Sequence, residues 1–128
     1  LTIPQSIIDY FEAIRNTDRA AWLATFSDEP GLNQVDPVGA PARTSKEEIG
    51  AFWDQIYQLF AQVELYIRSS YPGGPESLAL TWEGKGTGHN GVYVEFNGVD
   101  VIVLDSAGKI LSLEAYWDAH ATLSRLMP

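Results

Sequence analysis

The 128-residue chain contains no cysteine, so it has neither a disulfide framework nor a thiolate nucleophile. Its two histidines, His89 and His120, stand far apart, which leaves too few ligands for the usual zinc sites, and no metal is expected. Positive charge is scarce as well: 8 Lys and Arg against 17 Asp and Glu give a net charge of −9. That balance opposes contact with phosphate backbones and anionic lipid surfaces, so neither nucleic acid nor membrane is an expected partner. No apolar run reaches the length of a membrane span, and no basic segment followed by an apolar one opens the chain. A cytoplasmic enzyme or binding domain is the expectation. What is abundant is apolar surface: 45% of residues, with four Trp, six Tyr and five Phe, enough for the core of a single domain over residues 1–128.

Hydrophobic periodicity divides the chain into two halves. After Pro4, a good first-turn residue, Ile7, Ile8, Phe11 and Ile14 recur at helical spacing with Tyr10 beside them, predicting a helix to about Asn16. Thr17 and Asp18 can cap a short second helix through "AAWLATF", and Pro30-Gly31 precedes an extended piece over Leu32 to Asp36. Thr44 or Ser45, each three residues before a Glu, can cap a third helix whose broad apolar face runs from Ile49 to Phe60. From Val63 the period becomes two. Strands are predicted at Val63 to Tyr71, Ser77 to Glu83, Val92 to Leu104 and Lys109 to Trp117, separated by "PGGPE", "GKGTGHNG" and "DSAGK". Helices first and consecutive hairpins after them describe an α+β domain, with the helices covering one face of a curved antiparallel sheet.

The stretch "GTGHNG", Gly86 to Gly91, has the G-x-G-x-x-G pattern of a dinucleotide site, but the strand "VYVEF" follows it where such a site needs a helix. It reads as a hairpin turn, with His89 a solvated loop residue. His120 follows the last strand and is expected at the surface or in a dimer contact.

Three polar residues stand out. Along the strand Val92 to Leu104, Asp100 shares a face with Val94, Phe96, Ile102 and Leu104 unless Gly98 marks a bulge that reverses the register. A carboxyl on an apolar face has a raised pKa and, once neutral, becomes a hydrogen-bond donor. Tyr10, on the apolar side of its helix, needs a partner for its hydroxyl. Asp36 precedes Pro37, which biases it to extended geometry at a strand end, and Gly39 and Pro41 then turn the chain. Read from the residues alone, Asp36 is either a turn carboxylate or a base, and Tyr10 either a core residue or an acid.

The chain resembles the ketosteroid isomerase group of the NTF2-like, or SnoaL-like, superfamily over nearly its whole length. The resemblance rests on "DPVG", Asp36 to Gly39, followed by Arg43 and the third helix; on Tyr10, sixteen residues before Phe26 in "DRAAWLATF"; and on Asp100, nine residues before Lys109. It implies the NTF2-like cone, a curved antiparallel sheet wrapped around N-terminal helices to enclose an apolar cavity. It also implies Asp36 as catalytic base, Tyr10 and a neutral Asp100 as donors to an enolate oxygen, and a homodimer. The implied activity is isomerisation of a 3-oxo-Δ5-steroid or another small hydrophobic ketone, with no metal or organic cofactor, and Phe11, Trp53, Phe96 and Trp117 as apolar substrate-binding walls. Trp117 is expected on the apolar side of the last strand with Leu111, Leu113 and Ala115. Trp53 stands where some members have a tyrosine that hydrogen-bonds the oxyanion-hole tyrosine, and Arg43 is expected at the surface. Two other readings keep the cavity: a polyketide-type cyclase or another enzyme of the superfamily, and a non-catalytic binder of a hydrophobic ligand.

Overall fold

A computed structural model describes residues 3–128. Helix α1 spans Gln5–Arg15, and the Pro4 carbonyl accepts from the amides of Ile7 and Ile8 to start it. Its buried stripe includes Ile7, Tyr10, Phe11 and Ile14 of the predicted set, while Ile8 is only half-buried. Helix α2, Arg19–Ala24, is capped by Asp18, whose carboxylate accepts from the Ala21 amide. Strand β1 is the short Asn33–Val35. Helix α3, Lys46–Leu59, carries the expected reciprocal cap: Ser45 Oγ accepts from the Glu48 amide, and Glu48 Oε1 accepts from the Thr44 amide.

The second half is sheet: β2 Phe60–Pro72, β3 Ser77–Gly88, β4 Tyr93–Leu104 and β5 Ile110–Tyr116. Spatial order is β1-β5-β4-β3-β2; the four long strands are antiparallel neighbours and β1 joins the edge parallel to β5. The helices cover the sheet's inner face, and Arg15 ties α1 to it by donating to the Leu65 carbonyl at 2.8 Å. The α+β layout expected from the patterning is therefore present, and no described helix is long and apolar enough to cross a membrane.

Four details depart from the sequence reading. Strand β2 begins three residues early, directly from α3. Strand β3 runs through "GKGTG" to Gly88, and at Gly86 the neighbouring β2 presses close: a Cβ there would sit 2.6 Å from the Gln62 carbonyl oxygen and 2.7 Å from the Phe60 ring. The glycine marks a close approach inside the sheet and not a turn; the turn is "HNG", with Gly91 at φ 82°. Helix α4, Ala119–Ser124, is an element the periodicity did not predict, started by Asp118 accepting from the Ala121 amide. In β5 a register irregularity opposite Val103 and Leu104 leaves Leu111 as the extra residue, so Ile110, Leu113 and Ala115 form the inner row.

Candidate active site

The inner face of the sheet and the helices enclose a cavity of about 70 Å³ with an almost wholly apolar lining. Tyr10 from α1, Asp36 from the end of β1 and Asp100 from β4 all line it. Trp53, Phe96 and Trp117 line it too, as expected of them. Phe11 does not: it is 1% exposed and lies in the core behind Tyr10, ring centroids 5.1 Å apart. One position along α1 rotates a side chain about 100°, enough to turn Phe11 away from the cavity that Tyr10 reaches. His89 and His120 are both exposed, and among the described residues no cluster of His, Asp and Glu could hold a metal ion.

Asp100 points inward because β4 keeps period two without a bulge through Gly98. Gly98 instead makes room. A Cβ there would meet the Trp82 ring at 2.4 Å, and in that space the Trp82 indole reaches across to donate from Nε1 to Asp100 Oδ1 at 3.0 Å. Burial and the nearby Asp36 charge push the Asp100 carboxyl up to about 8, against the opposing pull of the Trp82 hydrogen bond. Near neutrality Asp100 is thus mostly a neutral acid. With Oδ1 accepting from Trp82, its proton falls to Oδ2.

Asp36 follows β1, whose residues alternate Gln34 in, Val35 out, Asp36 in. The Asp36–Pro37 bond is cis, the Val38 amide donates to the Ala115 carbonyl at 2.8 Å, and Gly39 turns the chain at φ 103°. The Val38 bond pins the "DPVG" segment to β5, and Trp117, just beyond that strand, donates from Nε1 to Asp36 Oδ1 at 2.7 Å. Burial raises the Asp36 carboxyl to about 6, while the Trp117 hydrogen bond and Arg43 hold it from rising further. Arg43 is half-buried, not at the surface: it donates to the Asp36 backbone carbonyl at 3.2 Å and lies 4.2 Å over the Phe52 ring. No ion pair among the described residues joins it to the Asp36 carboxylate.

Tyr10 is 4% exposed, and burial together with the charges of Asp100 and Asp36 holds its phenol well above the usual range, so it keeps its proton. The site at neutral pH therefore contains one carboxylate, one carboxylic acid and one phenol on apolar walls. Such a set can take a proton from a carbon acid while donating two hydrogen bonds to the oxygen where charge develops.

The sequence profile of the SnoaL-like domain matches residues 7–113, most of the chain. The chain belongs to the SnoaL-like domain family. Among solved structures, a Δ5-3-ketosteroid isomerase from Mycobacterium sp. superimposes with TM-score 0.77 at 23% identity, covering 91% of this chain and 92% of that one. RV0760c from Mycobacterium tuberculosis, in complex with estradiol-17beta-hemisuccinate, gives 0.78 at 22% over 90% and 92%. SalBIII, an epoxide hydrolase/cyclase-like enzyme in pyran ring formation in salinomycin, gives 0.78 at 22% over 91% and 90%. At these identities the likenesses show a shared fold, the NTF2-like one. No curated protein sequence matches significantly.

Among the lining residues that went unnoticed in the sequence are the indole donors Trp22 and Trp82. For Trp82 a signal existed: the alternation Leu78, Leu80, Trp82 puts its indole on the inner face, and Trp82 pairs with Gly98, next but one to Asp100.

Proposed function

We propose that this SnoaL-like domain is an isomerase of flat, neutral, hydrophobic ketones, with a 3-oxo-Δ5-steroid as the reference substrate. Asp36 removes the proton between the carbonyl and the double bond, Tyr10 and neutral Asp100 donate to the dienolate oxygen, and Asp36 returns the proton further along the conjugated system. Supporting this reading is one observation above others: a carboxyl that is ionised at neutral pH and two proton-bearing groups line the same apolar cavity. Neutral substrates follow from the same lining, which brings two carboxyl groups and no cation to balance an anionic ligand. The aromatic walls exclude water, and without its competition hydrogen bonds to a developing oxyanion strengthen. The outer sheet face, with Val99, Val101 and Tyr116 exposed, supports reading the protein as a homodimer.

The test is purified protein with a Δ5-3-ketosteroid, following conjugated enone absorbance, beside Asp36→Asn. Removing the base lowers kcat by at least the hundredfold or so typical of general acid–base catalysis. Equal rates for the two proteins refute the proposal.

The cavity volume favours a second reading. About 70 Å³ is far below a four-ring ligand's needs, so a steroid requires the walls to part, whereas a smaller ketone needs less movement. A polyketide-type cyclase would use the same groups, and turnover of mono- and bicyclic ketones without steroid turnover would select a small-ligand enzyme; binding of such ketones without turnover would select a binder.

A further inference from the structure

Three of the cavity's tryptophans are close to its three polar groups, but only two complete a hydrogen bond. Trp117 donates to Asp36 and Trp82 donates to Asp100. Trp22 is 2% exposed, and its Nε1 is buried with no acceptor among the described residues. A buried N–H without a partner is rare and costs its full desolvation.

The surroundings say what it waits for. Trp22 stands on α2 between Tyr10, ring centroids 5.7 Å apart, and Trp53, 5.0 Å apart, with its position braced by Phe26 at 5.1 Å. Its N–H lies near enough to the Tyr10 hydroxyl to favour negative charge on that oxygen, yet the geometry falls short of a hydrogen bond in the resting site. The Tyr10 oxygen is neutral at rest. It gains negative charge once Tyr10 shares its proton with an anionic ligand oxygen. A fixed donor beside it then gains an acceptor, and hydrogen bonds in such a chain strengthen one another.

We propose that Trp22 is a positioning residue that donates its indole N–H to Tyr10 Oη when Tyr10 hydrogen-bonds an enolate-like oxygen, and so makes Tyr10 a stronger donor to the charged state than to the neutral one. The proposal rests on the reading of Tyr10 as a ligand donor given above. Trp53 packs on Trp22 and makes no hydrogen bond to Tyr10, so in this proposal the donor to Tyr10 comes from α2.

The test replaces Trp22 with 3-benzothienylalanine, which keeps the ring shape and removes the N–H, with Trp22→Phe as an encoded second variant. Substituted phenols that bind as phenolates and their methyl ethers are titrated spectroscopically against the wild type, both variants, Tyr10→Phe and the double variants. The expected result is phenolate affinity about tenfold weaker without the N–H, a hydrogen bond to charge being lost, with methyl ethers unchanged and no further loss in the Tyr10→Phe background. Equal losses for phenolates and ethers, no loss at all, or the same loss without the Tyr10 hydroxyl would overturn it. A wild type that does not prefer phenols to their ethers brings down the reading of Tyr10 and this inference together. A wild type that prefers them through Tyr10, with Trp22 variants unchanged, overturns this inference alone.

Discussion

Replacing Trp117 with Phe isolates one hydrogen bond of the proposed base. Trp117 Nε1 donates to Asp36 Oδ1 at 2.7 Å and opposes the rise that burial imposes on that carboxyl, which stands at about 6. Phe keeps aromatic contact with Phe96 and Trp82, whose centroids lie 5.5 and 6.2 Å from the Trp117 ring, and removes the donor. A hydrogen bond to a charged group contributes about 1.5–3 kcal/mol, and one pKa unit is about 1.4 kcal/mol. Trp117 is only half-buried, so water can replace part of the loss, and the expected rise is about one unit. The base must be ionised, so activity is lost as pH falls through its pKa. With that shift, kcat/KM drops by about twofold at pH 7 and about eightfold at pH 5.5, because the ionised fraction falls in that proportion. A defect of packing alone lowers the rate equally at every pH. Steady-state kinetics from pH 5 to 7.5, with a carboxyl-carbon NMR titration of Asp36, separates the two. An acid limb unmoved in a folded Trp117→Phe protein refutes the reasoning.

Asp100→Asn should stabilise the fold increasingly as pH rises from about 4 to 8. The folded protein holds the Asp100 proton up to about 8 while the unfolded chain releases it near the usual carboxylate value, so wild-type stability declines across that window at up to ~1.4 kcal/mol per pH unit. Asn cannot ionise; urea midpoints at pH 5, 7 and 9 should diverge between the proteins, and a constant difference contradicts the raised pKa of Asp100. Gly98→Ala should destabilise by about 1–3 kcal/mol, as overpacking does, because its Cβ falls 2.4 Å from the Trp82 ring and 2.6 Å from the Tyr116 carbonyl oxygen. Denaturant unfolding checks this; a neutral result means that Trp82 does not depend on that space.

Fold class was readable because period, caps and turns agree along most of the chain. Asp18, Ser45 and Glu48 are caps in the sequence and caps in space, and Asp100 lies on the inward face that alternation assigns it. The misses share a cause. Gly86 looks like turn chemistry because the atoms that require a glycine there, Phe60 and the Gln62 carbonyl, come from another strand. Phe11 looks like a wall because a helical stripe is broader than a cavity mouth. Leu111 is displaced by an irregularity that leaves no mark in the alternation. Trp22 escaped notice because an indole's contribution lies in where one N–H points, which no spacing rule records; for Trp82 alternation gives the face but not the direction of its N–H. Oligomeric state and the natural ligand depend on surfaces and molecules outside one chain.

The most direct measurement is a crystal structure with a planar phenol bound at neutral pH. A single phenol oxygen is expected within hydrogen-bond distance of both Tyr10 Oη and the Asp100 carboxyl, with the Asp36 carboxylate against the face of the ring. A phenol bound elsewhere, or one whose oxygen turns away from either donor, contradicts it.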